Sequence, residues 1–355
     1  MQQTPTRSKK YTTVFSSTTT PDRLAVQSSL LFNSSEMDNY GSRPLVRPVS
    51  KLPTYLRFPL LVLLNLTLST LLYSLAADHI AGELAGVSRS VNKWGEVIGL
   101  IAWRSIELGC GWFFNFDGVD LGCLTLLSHL PPLYLLVVFY SIHPKTVFIS
   151  MCIDVFTTYI SFRLLRPLSL EHNTAGLDTT FPNLPIIEDV PLRLYTTLLA
   201  AGIYGVAFFS AFSTWLPVYL ITYFDGVRDL TFAHSATLPL LIASFIPVGY
   251  SAREFLFTPS AGARKDLGEI RKEAFNPETA TFGQTLRHNL WFFPKRTKIL
   301  IARTVTLIII STFNTWLQTY VTIEGVNASG AVGWAGVWGL AAIVTSLTFW
   351  WVGNV

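Results

Sequence analysis

The sequence predicts an all-α membrane protein: a polytopic transmembrane helix bundle of about eight spans, with both termini cytosolic. Three observations predict it. Half of the 355 residues are hydrophobic and only 14% are charged, against about a quarter in soluble domains. Mean hydropathy is +0.42. The apolar residues gather into runs of the roughly 20 that a helix needs to cross hydrocarbon. Such a composition, with a net charge of only +4, excludes an ordinary soluble enzyme, a disordered chain and a nucleic-acid binder built on basic patches.

Residues 1–54 read as a disordered cytosolic arm. They are rich in Ser and Thr, interrupted by Pro5, Pro21, Pro44 and Pro48, and show no sustained helical period. A mitochondrial presequence is the competing reading, since Arg7, Lys9 and Lys10 come before any acid. Asp22 and the helix-breaking Pro21 speak against it.

Residues 55–252 hold six expected spans. Phe58–Ala77 is uncharged. Trp94–Phe113 carries Glu96, Arg104 and Glu107. Leu121–Tyr140 contains His129 and the pair Pro131-Pro132, and Val147–Leu165 contains Asp154. Leu194–Phe224 is uncharged and longer than a straight span requires, so a tilt or a break near Pro217 is expected. Phe232–Tyr250 is the sixth. Residues 299–355 hold two more, Ile299–Val321 and Ala331–Trp351.

Positive charge orients the set, because Lys and Arg stay on the cytosolic side. Residues 1–57 hold eight Lys/Arg against three Asp/Glu, and residues 253–298 hold nine against five. Arg163 and Arg166 close the fourth span. All three features fall on one side only if the polar segment Trp94–Phe113 crosses. The sequon Asn327-Ala328-Ser329 then lies in a short lumenal loop.

Residues 253–298 form the one long polar segment between spans, a basic cytosolic loop. Gly262–Glu273 reads as a charged helix. Phe282, Leu286, Leu290 and Phe293 then recur at helical spacing beside Arg287, Lys295, Arg296 and Lys298. That pattern fits an interfacial helix facing anionic headgroups, or a solvated juxtamembrane loop.

No HExxH, GxSxG, P-loop or GxGxxG motif is present, and Cys110, Cys123 and Cys152 form no metal-ligand spacing. No cofactor, metal or nucleic-acid partner is expected; the partner is the lipid bilayer. The candidate site is therefore the set of ionisable residues inside spans, each costly in hydrocarbon and in want of a partner: Arg104, Glu107, His129, Asp154, His234 and Arg303. Arg104 and Glu107, three apart, share a helix face and can pair. Asp154 has no local cation and could reach Arg104 or Arg303 from another helix. Arg303, one turn into its span, can snorkel.

Small residues mark close helix packing at Gly330, Gly333, Gly336 and Gly339, and at Ala201, Gly202, Gly205 and Ala207. Phe116-Asp117-Gly118-Val119-Asp120-Leu121 is echoed by Phe224-Asp225-Gly226-Val227-Arg228-Asp229-Leu230. The two lie three spans apart, as an inverted repeat would place them; a common Asp-Gly turn repeated by chance is the alternative.

At Phe162–Pro167 (FRLLRP), Arg253–Ser260 (REFLFTPS) and the FDGVRDL turn, the chain resembles a family of fungal multi-pass membrane proteins. The resemblance covers residues 55–355. It implies a eukaryotic membrane protein and assigns no activity or site residue. An endomembrane location, most simply the endoplasmic reticulum, fits the short lumenal loops, with the plasma membrane, vacuole and mitochondrion as alternatives. Three functions stay open. A small-solute or lipid transporter predicts that the buried ionisable residues converge on a cavity. A non-catalytic scaffold or assembly factor predicts buried pairs in a filled bundle. An intramembrane enzyme needs His129 or His234 beside a carboxylate in an accessible cleft.

Overall fold

The computed structural model describes residues 53–90, 94–172, 187–263, 281–283, 285 and 293–354. Residues 1–52 of the expected arm lie outside the described residues. So do residues 264–280, 284 and 286–292, which include most of the expected interfacial helix and its Leu286, Arg287 and Leu290.

Among the described residues the ordered structure is helical, with only two isolated β-bridges. The long helices are α1 (Thr54–Ala85), α2 (Trp94–Phe113), α3 (Gly118–Phe139), α4 (Pro144–Leu165) and α5 (Val190–Thr214). Short segments follow: α6 (Leu216–Tyr223), α7 (Thr231–Ser235), α8 (Leu238–Ser244), α9 (Ile246–Ala252), a π turn (Arg253–Phe257) and α10 (Thr258–Ala261). Two long helices, α11 (Lys295–Thr322) and α12 (Ala328–Asn354), complete the chain. Six of these, α1, α3, α4, α5, α11 and α12, are long and apolar enough to cross a membrane. A seventh is the pair Leu238–Ser244 with Ile246–Ala261, bent by 52°. The three charges of α2 keep it out of that set.

Local chemistry explains where the helices begin. Asp117 caps α3 through a capping box: its Oδ1 accepts from the Asp120 amide at 2.8 Å, and Asp120 Oδ2 accepts from the Asp117 amide at 3.4 Å. Helix α4 opens on Pro144, whose missing N–H is no loss in the first turn. Its start is capped from α1, where Glu83 accepts from the His143 amide at 3.1 Å and Thr146 Oγ1 at 2.8 Å.

Prolines set the breaks. The long uncharged stretch divides at Trp215, and α6 opens with Pro217 in its first turn, as expected. The sixth span departs from expectation. Instead of one helix over Phe232–Tyr250, segments restart with Pro239, Pro247 and Pro259 in their first turns. The last continues to Ala261, so Arg253–Ala261 is buried helix, not the start of the polar loop. Likewise Lys295, Arg296 and Lys298 form the first turn of α11, which begins four residues before the expected Ile299.

Carbonyls freed by prolines find partners on α11. Pro131 and Pro132 cannot donate to the carbonyls of Leu127 and Ser128. Ser311 Oγ donates to the first at 3.0 Å, and Asn314 Nδ2 to the second at 2.8 Å. Pro259 similarly releases the Phe255 carbonyl, which accepts from Arg303 Nη1 at 3.0 Å.

The contacts at the helix ends fix the direction of each rod. At one end, the Val87 and Thr322 carbonyls accept from the amides of Glu324 and Arg89, and the amides of Asp225 and Asn327 donate to Gly325 and Tyr223. At the other, Arg166 donates to the carbonyls of Gly111, Trp112 and Phe116. Helices α1 to α5 therefore alternate in direction, α2 included, and α12 returns antiparallel to α11. Between the ends, an aromatic core joins α3, α5, the bent pair and α12. Phe208 stands 4.7 Å from Trp338 and 5.1 Å from Phe245 by ring centroids.

Of the small residues, Gly330 and Gly333 pack under Tyr223 and Tyr219, Gly205 under Ile242, and Gly339 under Thr312. Gly202 and Gly336 face an open apolar groove between α5 and α12. The echoed Asp-Gly strings sit at opposite ends but fold differently. The first starts a helix at Gly118, while the second is a turn with Gly226 at φ +85°.

Candidate functional site

Four of the six candidate residues meet. On α2, Arg104 Nη1 donates to Glu107 Oε2 at 3.0 Å, the pair that i,i+3 spacing predicts. Helix α3 brings His129 against both, its Nε2 being 3.2 Å from Arg104 Nη1 and 3.4 Å from Glu107 Oε2. Helix α4 adds Asp154, whose Oδ2 lies 3.0 Å from His129 Nδ1. An ionised Asp154 accepts only, so Nδ1 carries the proton in that contact.

Neutral polar groups complete the shell. Tyr73 Oη on α1 donates to Asp154 Oδ1 at 3.0 Å. Arg104 Nη2 donates to Thr158 Oγ1 at 2.6 Å, and Arg104 Nε reaches Asn65 Oδ1 at 3.4 Å. The residue before Arg104, Trp103, donates from Nε1 to Asn314 Oδ1 at 3.0 Å. The network thus ties α1, α2, α3, α4 and α11 by side chains alone. Glu107, His129, Asn65 and Thr158 are all buried. In an apolar surround, ion pairs hold only when hydrogen bonds satisfy the charged groups' remaining atoms.

The space at this network is small. Arg104, Glu107, Thr125, Ser128 and Thr158, with four apolar side chains, line a cavity of about 10 Å³. That is close to the least volume that holds one water. The larger hollows lie elsewhere and are apolar or at a helix end. His129 and Asp154 meet the distance an acid–base pair requires, and neither lines that cavity.

The other two candidates lie apart. His234 is exposed near the end of the short α7. Arg303 does not snorkel outward; it turns inward to Asp120, with Nη1 2.6 Å from Oδ1 and Nη2 2.9 Å from Oδ2. Its guanidinium lies over the rings of Phe116 and Phe255, at 4.8 and 5.1 Å. Nor does Asp154 reach an arginine of another helix; His129 and Tyr73 satisfy it instead.

Arg303 belongs to a second polar cluster, at the end where α3 begins. Asp117 Oδ2 accepts from the Ser169 amide at 2.9 Å and sits 2.7 Å from His172 Nδ1. His172 Nε2 is 3.9 Å from Glu254 Oε2, and Glu254 in turn pairs with Arg253 and accepts from Thr258. Burial alone would raise the Asp117 carboxyl. The His172 hydrogen bond and charge, with the Asp120 and Ser169 amides, outweigh it and hold Asp117 well below the usual carboxylate range. Burial would lower His172, but its bond to Asp117 and the charges of Asp120, Asp117 and Glu254 raise it. Ligand atoms of Asp117, Asp120 and His172 lie within 4.8 Å of one another, a spacing that could hold a metal. The Arg303 fork already occupies both Asp120 oxygens and supplies the positive charge there, so the cluster reads as an ion-pair network.

Sequence reasoning does not single out Asn65, Tyr73, Thr158 or His172, and it meets Asp117 and Asp120 only as part of the echoed string. A lone Asn in an uncharged span is the one usable signal for Asn65. Asp-x-x-Asp before an apolar run is the signal for the capping pair.

Residues 189–352 match the family described as the Bouquet formation protein 3 C-terminal domain. The match takes in the helices from α5 to α12, with two of the three resembling strings, REFLFTPS and FDGVRDL. It leaves out Arg104, Glu107, His129 and Asp154. No curated protein and no solved structure matches the chain.

Proposed function

We propose that the chain is a non-catalytic scaffold or assembly factor within a membrane. One observation carries this: the ionisable side chains inside α2, α3 and α4 pair with one another, and the cavity beside Arg104 and Glu107 is of about 10 Å³. A transporter would use these groups to hold a solute at mid-membrane, and that volume is far below the size of one. The matched domain family is named for bouquet formation, and not for a reaction or a transported solute.

The network's role in this reading is adhesive. Little drives helices together in lipid except packing and interhelical hydrogen bonds. Helix α2, with three charges, crosses as the second of eight spans because its charged face is turned onto partners. The helix directions support eight crossings with both termini on one side, which the distribution of Lys and Arg makes cytosolic; the membrane of this reading is the endoplasmic reticulum or another endomembrane. The basic stretch that follows Ala261, up to Lys298, would then meet anionic headgroups on the cytosolic side.

The test replaces Asp154 with Asn in full-length protein reconstituted in lipid. The expected result is a clear fall in thermal stability, with no solute flux through either protein across a panel of ions, amino acids, sugars and phospholipids. Flux through the wild type that disappears in a stably folded Asp154→Asn would overturn the proposal in favour of transport.

A further inference from the structure

The polar network leaves one charged atom without a protein partner. Glu107 Oε2 accepts from Arg104 and lies 3.4 Å from His129 Nε2, whereas no donor reaches Glu107 Oε1, although the residue is only 5% exposed. A carboxylate oxygen left dry in this position is more costly than an unpaired neutral group. Glu107 also lines the cavity of about 10 Å³. The other polar lining groups are Arg104, Thr125, Ser128 and Thr158, and Ser128 Oγ spends its own proton on the Thr125 carbonyl at 3.3 Å. Its lone pairs remain free to accept. Arg104 has five N–H groups and directs them at Asn65, Glu107, His129 and Thr158, the second hydrogen of Nη2 being surplus.

We propose that this cavity is a binding site for one water molecule, donating to Glu107 Oε1 and held by the Arg104 and Ser128 side chains. Three facts coincide: a buried carboxylate oxygen without a donor, a volume that fits one water, and two to four polar groups around it. A small alkali cation is the rival occupant of comparable size. The Arg104 guanidinium on the cavity wall disfavours it. With the water in place, both Glu107 oxygens are satisfied, and α2 crosses the apolar region without an exposed charge.

The experiment is solid-state NMR on full-length protein in lipid bilayers with ¹³C-glutamate, measuring magnetisation transfer from water to the Glu107 carboxyl carbon. Loss of the resonance in Glu107→Gln assigns it. Should that variant not fold, correlation to Leu108 in the wild type assigns it instead. Expected are transfer as strong as at solvent-exposed glutamates, and a resonance that does not move when sodium is exchanged for caesium. A dry carboxyl with no transfer overturns the proposal, and a resonance that shifts with the ion makes the site a cation site. Either failure leaves the filled-bundle reading standing, because flux and stability of Asp154→Asn test that separately.

Discussion

Asn314 on α11 donates from Nδ2 to the Ser128 carbonyl at 2.8 Å, the carbonyl that Pro132 cannot satisfy. Its Oδ1 accepts from Trp103 on α2 at 3.0 Å. One fully buried amide thus repairs a break in α3 and anchors α2. Asn314→Leu should destabilise the protein by about 1–3 kcal/mol, from two polar groups left unpaired. The figure falls toward the lower end if the unfolded state in the membrane finds other partners. A double-mutant cycle isolates the repair. Pro132→Ala restores an N–H in reach of the Ser128 carbonyl, so Asn314→Leu should cost less in that background. Equal losses in both backgrounds, measured by denaturation in mixed micelles, would show that the released carbonyl is not what Asn314 serves.

His172 should make its corner of the molecule sensitive to alkaline pH. Its folded value is raised, so its contribution is full below the ordinary histidine value of about 6.5 and is lost as pH climbs through the raised value. Asp117 behaves in the opposite sense. Its value is depressed, so its contribution is full above about 3.9 and is lost only in strong acid. The pair is therefore strongest between about pH 4 and 6.5 and weakens first on the alkaline side. The Ser169 amide, bonded to Asp117 at 2.9 Å, reports it by hydrogen exchange corrected for the intrinsic rate. Protection should fall above about pH 7 in the wild type and stay level with pH in His172→Gln. A flat wild-type profile would mean that His172 holds nothing at this corner.

How far the sequence reached depends on how local each contact is. Arg104–Glu107 was legible because spacing along one helix places it. His129–Asp154 was not, because it depends on how α3 and α4 are rotated against each other, which no period in a uniformly apolar helix records. Tyr73 and Asn65 are uncharged and leave no mark in a hydropathy reading. The bent sixth span was legible in part: Pro239, Pro247 and Pro259 recur along it, and each lies in the first turn of a new segment. Hydropathy alone smooths them into one helix. Arg303 read as a snorkelling residue because its partner Asp120 lies 183 positions away.

Two glycines on facing helices should respond to alanine in opposite senses. At Gly249 on α9 a Cβ would lie 2.8 Å from the Ala201 amide nitrogen on α5 and against the Thr197 carbonyl. Those are backbone atoms of a helix that cannot yield. Gly249→Ala should therefore cost about 1–3 kcal/mol by overpacking. At Gly202 on α5 nothing lies within 4 Å of the added carbon. Gly202→Ala should be neutral or stabilising by up to about 1 kcal/mol through helix propensity. Thermal denaturation of the two variants side by side checks the contrast, and a stable Gly249→Ala would mean that α5 and α9 approach less closely than this.

The Arg303–Asp120 pair should distinguish geometry from charge. Arg303 binds both carboxylate oxygens, takes the Phe255 carbonyl and lies over two rings. Lysine keeps the charge but has neither the planar fork nor the stacking face. Arg303→Lys should therefore be measurably less stable than wild type. Arg303→Gln should lose about 3–5 kcal/mol, because Asp120 is left buried and unpaired. Adding Asp120→Asn to Arg303→Gln removes that orphan charge and should recover part of the loss, although the asparagine keeps its place in the cap of α3. If the double variant is no more stable than Arg303→Gln, the cost lies instead in the Phe255 carbonyl that Pro259 releases. Phe255 then becomes the residue to probe, through Pro259→Ala, which returns the missing N–H.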